Sequence, residues 1–108
     1  MTDIPATVRL APHTIVVTAD TAAAHTLSQA AGEQLYGNWD ARYLTITLDP
    51  SQADSQVAET LLHELLHACA DAAGLDEDDE ERTVNAIAPR LLSVLRDNPQ
   101  LVRFLAGG

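Results

Sequence analysis

The chain has 108 residues, 46% of them hydrophobic, enough for one folded domain (1–108) but too few for a two-lobed enzyme with a deep cleft. Its formal net charge is −10, from 16 acids against six arginines and no lysine, which excludes nucleic acid as a natural partner because phosphate backbones would be repelled. No stretch approaches the roughly 20 apolar residues of a membrane span, no basic segment leads an apolar run at the N-terminus, and the single cysteine, Cys69, permits no intrachain disulfide, so a cytoplasmic protein without membrane contact is expected.

Residues 1–12 contain Pro5 and Pro12 and are expected to be irregular. The β-branched run His13–Thr18 predicts a strand. Asp20 to Ala31 is alanine-rich and predicts a short helix ending at Gly32, with His25 on its surface. Two alternating runs, 33–37 and 42–48, flank Asn38-Trp39-Asp40-Ala41 and predict an antiparallel hairpin, with Trp39 packing against a helix. Asp49 as N-cap, Pro50 at the first helical position and Gly74 after Ala73 predict a helix over about 50–73. On its helical projection Val57, Ala58, Leu61, Leu62, Leu65, Leu66, Ala68, Cys69 and Ala72 fill one arc. Cys69 therefore reads as a small buried side chain. His63, Glu64, His67 and Asp71 fall on the opposite side.

That polar side holds the most informative motif, His63-Glu64-Leu65-Leu66-His67. Histidines four apart on a helix face the same way, so both rings can reach one Zn²⁺ ion while Glu64 hangs beside it as a proton acceptor for water. A catalytic zinc site takes three protein ligands and keeps a position open. Asp71 lies one turn further on, roughly 5 Å along the axis, which suits an orienting or solvated role better than a ligand. The better source of a third ligand is the acidic run Asp76–Glu81, which opens a second apolar-periodic segment with Val84, Ile87, Ala88, Leu91, Leu92 and Leu95 inward. Glu80 and Glu81 flank that face equally, and periodicity does not choose between them. Asp76 to Asp79 suit a negative helix N-terminus. Pro89 predicts a kink near Asn85 or a break into 78–88 and 90–97. Asn98-Pro99 ends the segment, and Leu101–Leu105 forms a last apolar turn expected to pack on the body, or to plug the cleft as in a latent zymogen.

Over roughly residues 42–96 the chain resembles short gluzincin-type metallopeptidases, including ImmA/IrrE-like and minigluzincin-like proteins. The likeness rests on His63-Glu64-x-x-His67 followed by Glu81-x-x-x-Asn85-x-x-Ala88. It implies His63, His67 and Glu81 as zinc ligands, Glu64 as catalytic base and Asn85 as a supporting residue behind the ligands. It also implies an α+β minimal zincin: a small antiparallel sheet packed on the metal helix and a second, ligand-bearing helix. By the same resemblance residues 42–48 are the edge strand that pairs with a protein or peptide substrate. The chain departs from larger members in its short link from His67 to Glu81, in lacking a following substrate lobe, and in showing no clear donor for transition-state charge, for which Tyr36, Tyr43 and His13 are the candidates. Two further readings remain. One is a zinc-binding regulatory or protein-interaction module of phage or mobile-element type, and the other is a metal-free helical interaction domain.

Overall fold

Alternation along two short strands sets the architecture. In a computed structural model, which describes residues 3–75 and 77–107, Ile15 and Val17 of one strand and Ile46 and Leu48 of another turn inward and are buried, while Thr14, Val16, Thr45 and Thr47 turn the other way. Element order is β1 (Thr7–Leu10), β2 (His13–Ala19), α1 (Thr21–Ala31), β3 (Gly37–Asp40), β4 (Thr45–Leu48), α2 (Asp54–Ala73), α3 (Glu77–Asp97) and α4 (Pro99–Leu105). The strands form one sheet in the order β1-β2-β4-β3. Helix α2 lies on its inner face, adding Val57 and Ala68 to the core, with Val8, Leu10, Trp39, Leu61 and Leu65 packed around it. Among the described residues no helix is long and apolar enough to cross a membrane.

The sheet is mixed, where a purely antiparallel one is expected from the sequence. β1/β2 and β3/β4 are antiparallel, but β2 and β4 run parallel, with Val16 opposite Thr45 and Ala19 opposite Leu48. The crossing helix α1 causes this. It starts on the Asp20 carboxylate, which accepts from the Ala22 and Ala23 amides, and stops at Gly32 in the left-handed conformation (φ 74°). It returns the chain so that β3 and β4 form a hairpin added beyond β2. β4 is therefore internal, and the free edge on this side is β3. Residues 42–48 are not the edge strand.

Three other expectations shift. Residues 7–10 are a strand and not irregular, because Val8 and Leu10 alternate inward against the core. The hairpin turn falls at 41–44, so Trp39 sits within β3. The Asp40 carboxylate fixes that turn by accepting from the Arg42 and Tyr43 amides, and Leu44 closes it at φ 52°. Helix α2 begins at Asp54, four residues late, because the Asp49 carboxylate is engaged by Thr21 Oγ1 and by the Ser51 amide and hydroxyl instead of capping a helix.

Helix α3 runs through Pro89 without a break. Pro89 lies on its exposed side, while Val84 and Ala88 are buried and Leu91 and Leu95 half-buried. Packing against α2 holds the segment together despite the missing N–H. Helix α4 does not pack on the body: it meets α3 and buries none of its residues, with Phe104 80% exposed. Asp76 lies outside the described residues.

α2 approaches β3 closely at Gly37. A Cβ there would overlap Thr60 Cγ2 and press on Glu64 Cγ at 3.3 Å. Gly37→Ala is expected to cost about 1–3 kcal/mol in urea unfolding through overpacking. Adding Thr60→Ser, which deletes the clashing methyl, should recover most of that loss. A neutral Gly37→Ala would contradict this packing.

Candidate metal centre

Contact with β3 and β4 rotates α2 about its axis. The face toward the sheet carries Val57, Leu61, Glu64 and Ala68, the i, i+4, i+7, i+11 positions of one stripe. Glu64 is thus buried, not on the side away from the core. The far part of the apolar arc is left outside: Leu62 and Leu66 are half-buried and Cys69 is exposed, contrary to its expected burial. The same rotation points His63 and His67 sideways, toward α3.

There three donor atoms converge. His63 Nε2 and His67 Nε2 are 3.2 Å apart. Glu81 brings one carboxylate oxygen to 3.3 Å from His63 Nε2 and the other to 2.8 Å from His67 Nε2. Zn–N and Zn–O bonds of about 2.0–2.1 Å at a tetrahedral angle put ligand atoms roughly 3.3 Å apart; the two Nε2 atoms stand at about that spacing, and one atom from each of His63, His67 and Glu81 lies within 4.8 Å of the others. Two imidazole nitrogens and a carboxylate aimed at one point repel unless a proton or a cation lies among them, so the donor set suits a divalent ion. His63 and His67 are mostly withdrawn from solvent, whereas the Glu81 side chain is 61% exposed.

The two glutamates that periodicity could not separate take different places. Glu81 faces both Nε2 atoms, and Glu80 stands behind His67, its carboxylate 2.5 Å from Nδ1. A proton on Nδ1 donated to Glu80 leaves the Nε2 lone pair directed at the convergence point. Glu80 is only 10% exposed, and its Oε1 is buried without a hydrogen-bond partner among the described residues. No feature of the sequence marks this orienting role; it follows from where α3 crosses α2.

Glu64 sits beside this cluster under the edge of the sheet. Tyr36 O accepts from the Asp49 amide, so in the antiparallel ladder Tyr36, Asn38 and Asp40 bond inward to β4, and Gly37 and Trp39 direct their main-chain groups outward. The Trp39 amide meets the Glu64 carboxylate. Burial pushes the Glu64 pKa up from 4.5 to about 7, and Glu81 adds to the rise, while His67 and the Trp39 hydrogen bond oppose it. Burial also lowers the pKa of His63, reinforced by His67 and offset in part by Glu81. For His67 burial acts downward too, but the Glu80 hydrogen bond and the charges of Glu81, Glu64 and Glu80 prevail and raise it.

A pocket of about 220 Å³ opens onto His63 and Glu64 at the start of β3, walled by Tyr36, Gly37, Gln56 and Glu59. Of the residues proposed to support the site, Tyr36 lines this pocket and is half-exposed. Tyr43 is exposed in the β3–β4 turn and His13 lies at the start of β2; neither lines it. Asp71 accepts from Trp39 Nε1 at 2.6 Å, pinning the edge strand to α2 and making no hydrogen bond to the histidines. Asn85 is exposed and, among the described residues, makes no hydrogen bond to the ligand cluster. Comparison of the chain with protein-family models, curated proteins and solved structures gave no match.

Glu64 makes the stability of the metal-free protein depend on pH. Its folded pKa lies above its unfolded one, so its contribution is fully present below about 4.5 and is lost as pH rises through about 7. The loss amounts to at most about 3.5 kcal/mol at roughly 1.4 kcal/mol per pKa unit. Glu64→Gln, which keeps an acceptor for the Trp39 amide without the charge, should gain stability relative to the parent at pH 8 and little at pH 4.5. Urea unfolding in chelator checks this; a difference independent of pH would contradict it.

Proposed function

We propose that the chain is a zinc-dependent peptidase of minimal gluzincin type, with His63, His67 and Glu81 as ligands, Glu64 as general base, and a protein or peptide as substrate. The observation that carries the reading is the convergence of two Nε2 atoms and one carboxylate, with a second carboxylate behind His67. Zinc held there supplies Lewis acidity, which acidifies water and polarises a peptide carbonyl.

The chain's own groups do the rest. Glu64 faces the pocket from beneath the edge strand. It can accept a proton from an attacking water and return it to the leaving amine. Substrate would lie along β3, the free edge, and not along 42–48. There the outward main-chain groups of Gly37 and the Trp39 carbonyl offer strand-type hydrogen bonds that fix a peptide without demanding one side chain. The Asp71–Trp39 contact keeps that edge in register with α2. Tyr36 is the one proposed hydroxyl donor that lines the pocket, and it is the group available to meet developing charge on the scissile carbonyl.

Protein purified without added metal should carry about one zinc per chain. Glu81→Gln should weaken zinc binding most, and Glu80→Gln by about 10–100-fold through the loss of His67 orientation. Glu64→Gln should keep zinc and lower peptide-library cleavage by at least about 100-fold. Zinc bound without cleavage by either protein would favour the regulatory module. Absence of zinc binding would leave the helical interaction domain, and loss of zinc with Glu80→Gln but not Glu81→Gln would reverse the ligand assignment.

A further inference from the structure

A second concavity is larger than the one beside the histidines. It is an apolar groove of about 590 Å³ between α2 and the N-terminal half of α3, walled by Leu66, Cys69, Ala73, Leu75 and Ile87, with Asp79 at its rim. It exists because the apolar arc of α2 is wider than the strip covered by the sheet. Leu75 is 60% exposed and Ile87 47%. The exposed apolar stripe continues along α3 through Val94, seven residues or two turns beyond Ile87. It ends in α4, whose Leu101, Val102, Phe104 and Leu105 are all exposed. The chain thus carries both an unfilled apolar groove and an uncovered apolar helix.

Helix α4 cannot fill its own groove. It joins α3 through Asn98 alone, and eleven residues of helix, about 16 Å, separate Ile87 from that joint. Folding back would require the last turns of α3 to unwind. A second copy has no such obstacle. With α3 packed against its twin antiparallel about a two-fold axis near Leu91, residues 99–105 of one chain lie over 77–83 of the other, at the groove. Charge agrees with this arrangement. The first part of α3 carries Asp78, Asp79, Glu80 and Glu81 against the single Arg82, while Arg90, Arg96 and Arg103 follow toward the C-terminus against the single Asp97. Antiparallel packing sets the acidic end of one copy against the basic end of its twin. Among the described residues neither Asp79 nor Arg103 forms an ion pair within its own chain.

We propose that the protein is an isologous homodimer in which α4 of each copy seats in the α2–α3 groove of the other, with Phe104 as anchor. The groove shares no lining residue with the pocket beside Glu64, although Glu80, which stands behind His67, borders it.

Cys69, the single cysteine, lines the groove and makes a direct test possible. Sedimentation equilibrium of the full chain should give twice 11.6 kDa. Phe104→Glu should weaken association by at least about tenfold, with the circular dichroism spectrum and zinc binding unchanged. Under mild oxidation Leu105→Cys should form a disulfide to Cys69 of another copy, giving a covalent dimer that Cys69→Ser abolishes. A monomer at every accessible concentration would overturn the proposal, as would a dimer indifferent to Phe104→Glu. A 69–105 disulfide confined to monomers would overturn it in favour of α4 covering its own groove.

Discussion

The close approach of α2 to the free strand of the sheet determines nearly everything about the site. Gly37 offers no side chain, so Thr60 and Glu64 come directly under β3. The Glu64 carboxylate then meets the Trp39 amide, and Asp71 takes Trp39 Nε1 two helical turns further on. These contacts fix the rotation of α2. Once that rotation is fixed, His63 and His67 can point only toward α3, and Leu66 and Cys69 only away from the core.

The second constraint is electrostatic. Three carboxylates, Glu64, Glu80 and Glu81, are gathered around two imidazoles in a partly dry corner. Without a cation the cluster depends on protons, and the raised pKa values of Glu64 and His67 reflect that. A divalent ion among the Nε2 atoms and Glu81 would supply the missing positive charge. Such an arrangement costs folding free energy when empty of cations and returns it on binding.

Much of this was legible in the residues themselves. Asp20 and Gly32 bound α1, Gly74 ends α2, and the His63/His67 spacing brings two rings together, because local capping and helical geometry decide those features. Features decided by tertiary packing were not legible. Hydrophobic count alone centres α2 on its leucines, yet the helix turns to bury Glu64, since a backbone amide at a strand edge waits there. Asp49 looks like a helix cap until Thr21, distant in sequence, competes for it. Pro89 suggests a kink near Asn85 or a break, and packing of Val84 and Ala88 against α2 excludes the break by carrying the helix through. The difference between Glu80 and Glu81 depends on the angle at which α3 crosses, which no single-helix periodicity encodes.

The proposed metal centre is tested most directly by diffraction from crystals grown with zinc, measured on both sides of the zinc absorption edge. One anomalous peak at about 2.0–2.2 Å from His63 Nε2, His67 Nε2 and a Glu81 oxygen, with Glu80 still bonded to His67 Nδ1, is the expected result. No peak between the two rings, or a peak bound by Glu80 with Glu81 turned out to solvent, would contradict it.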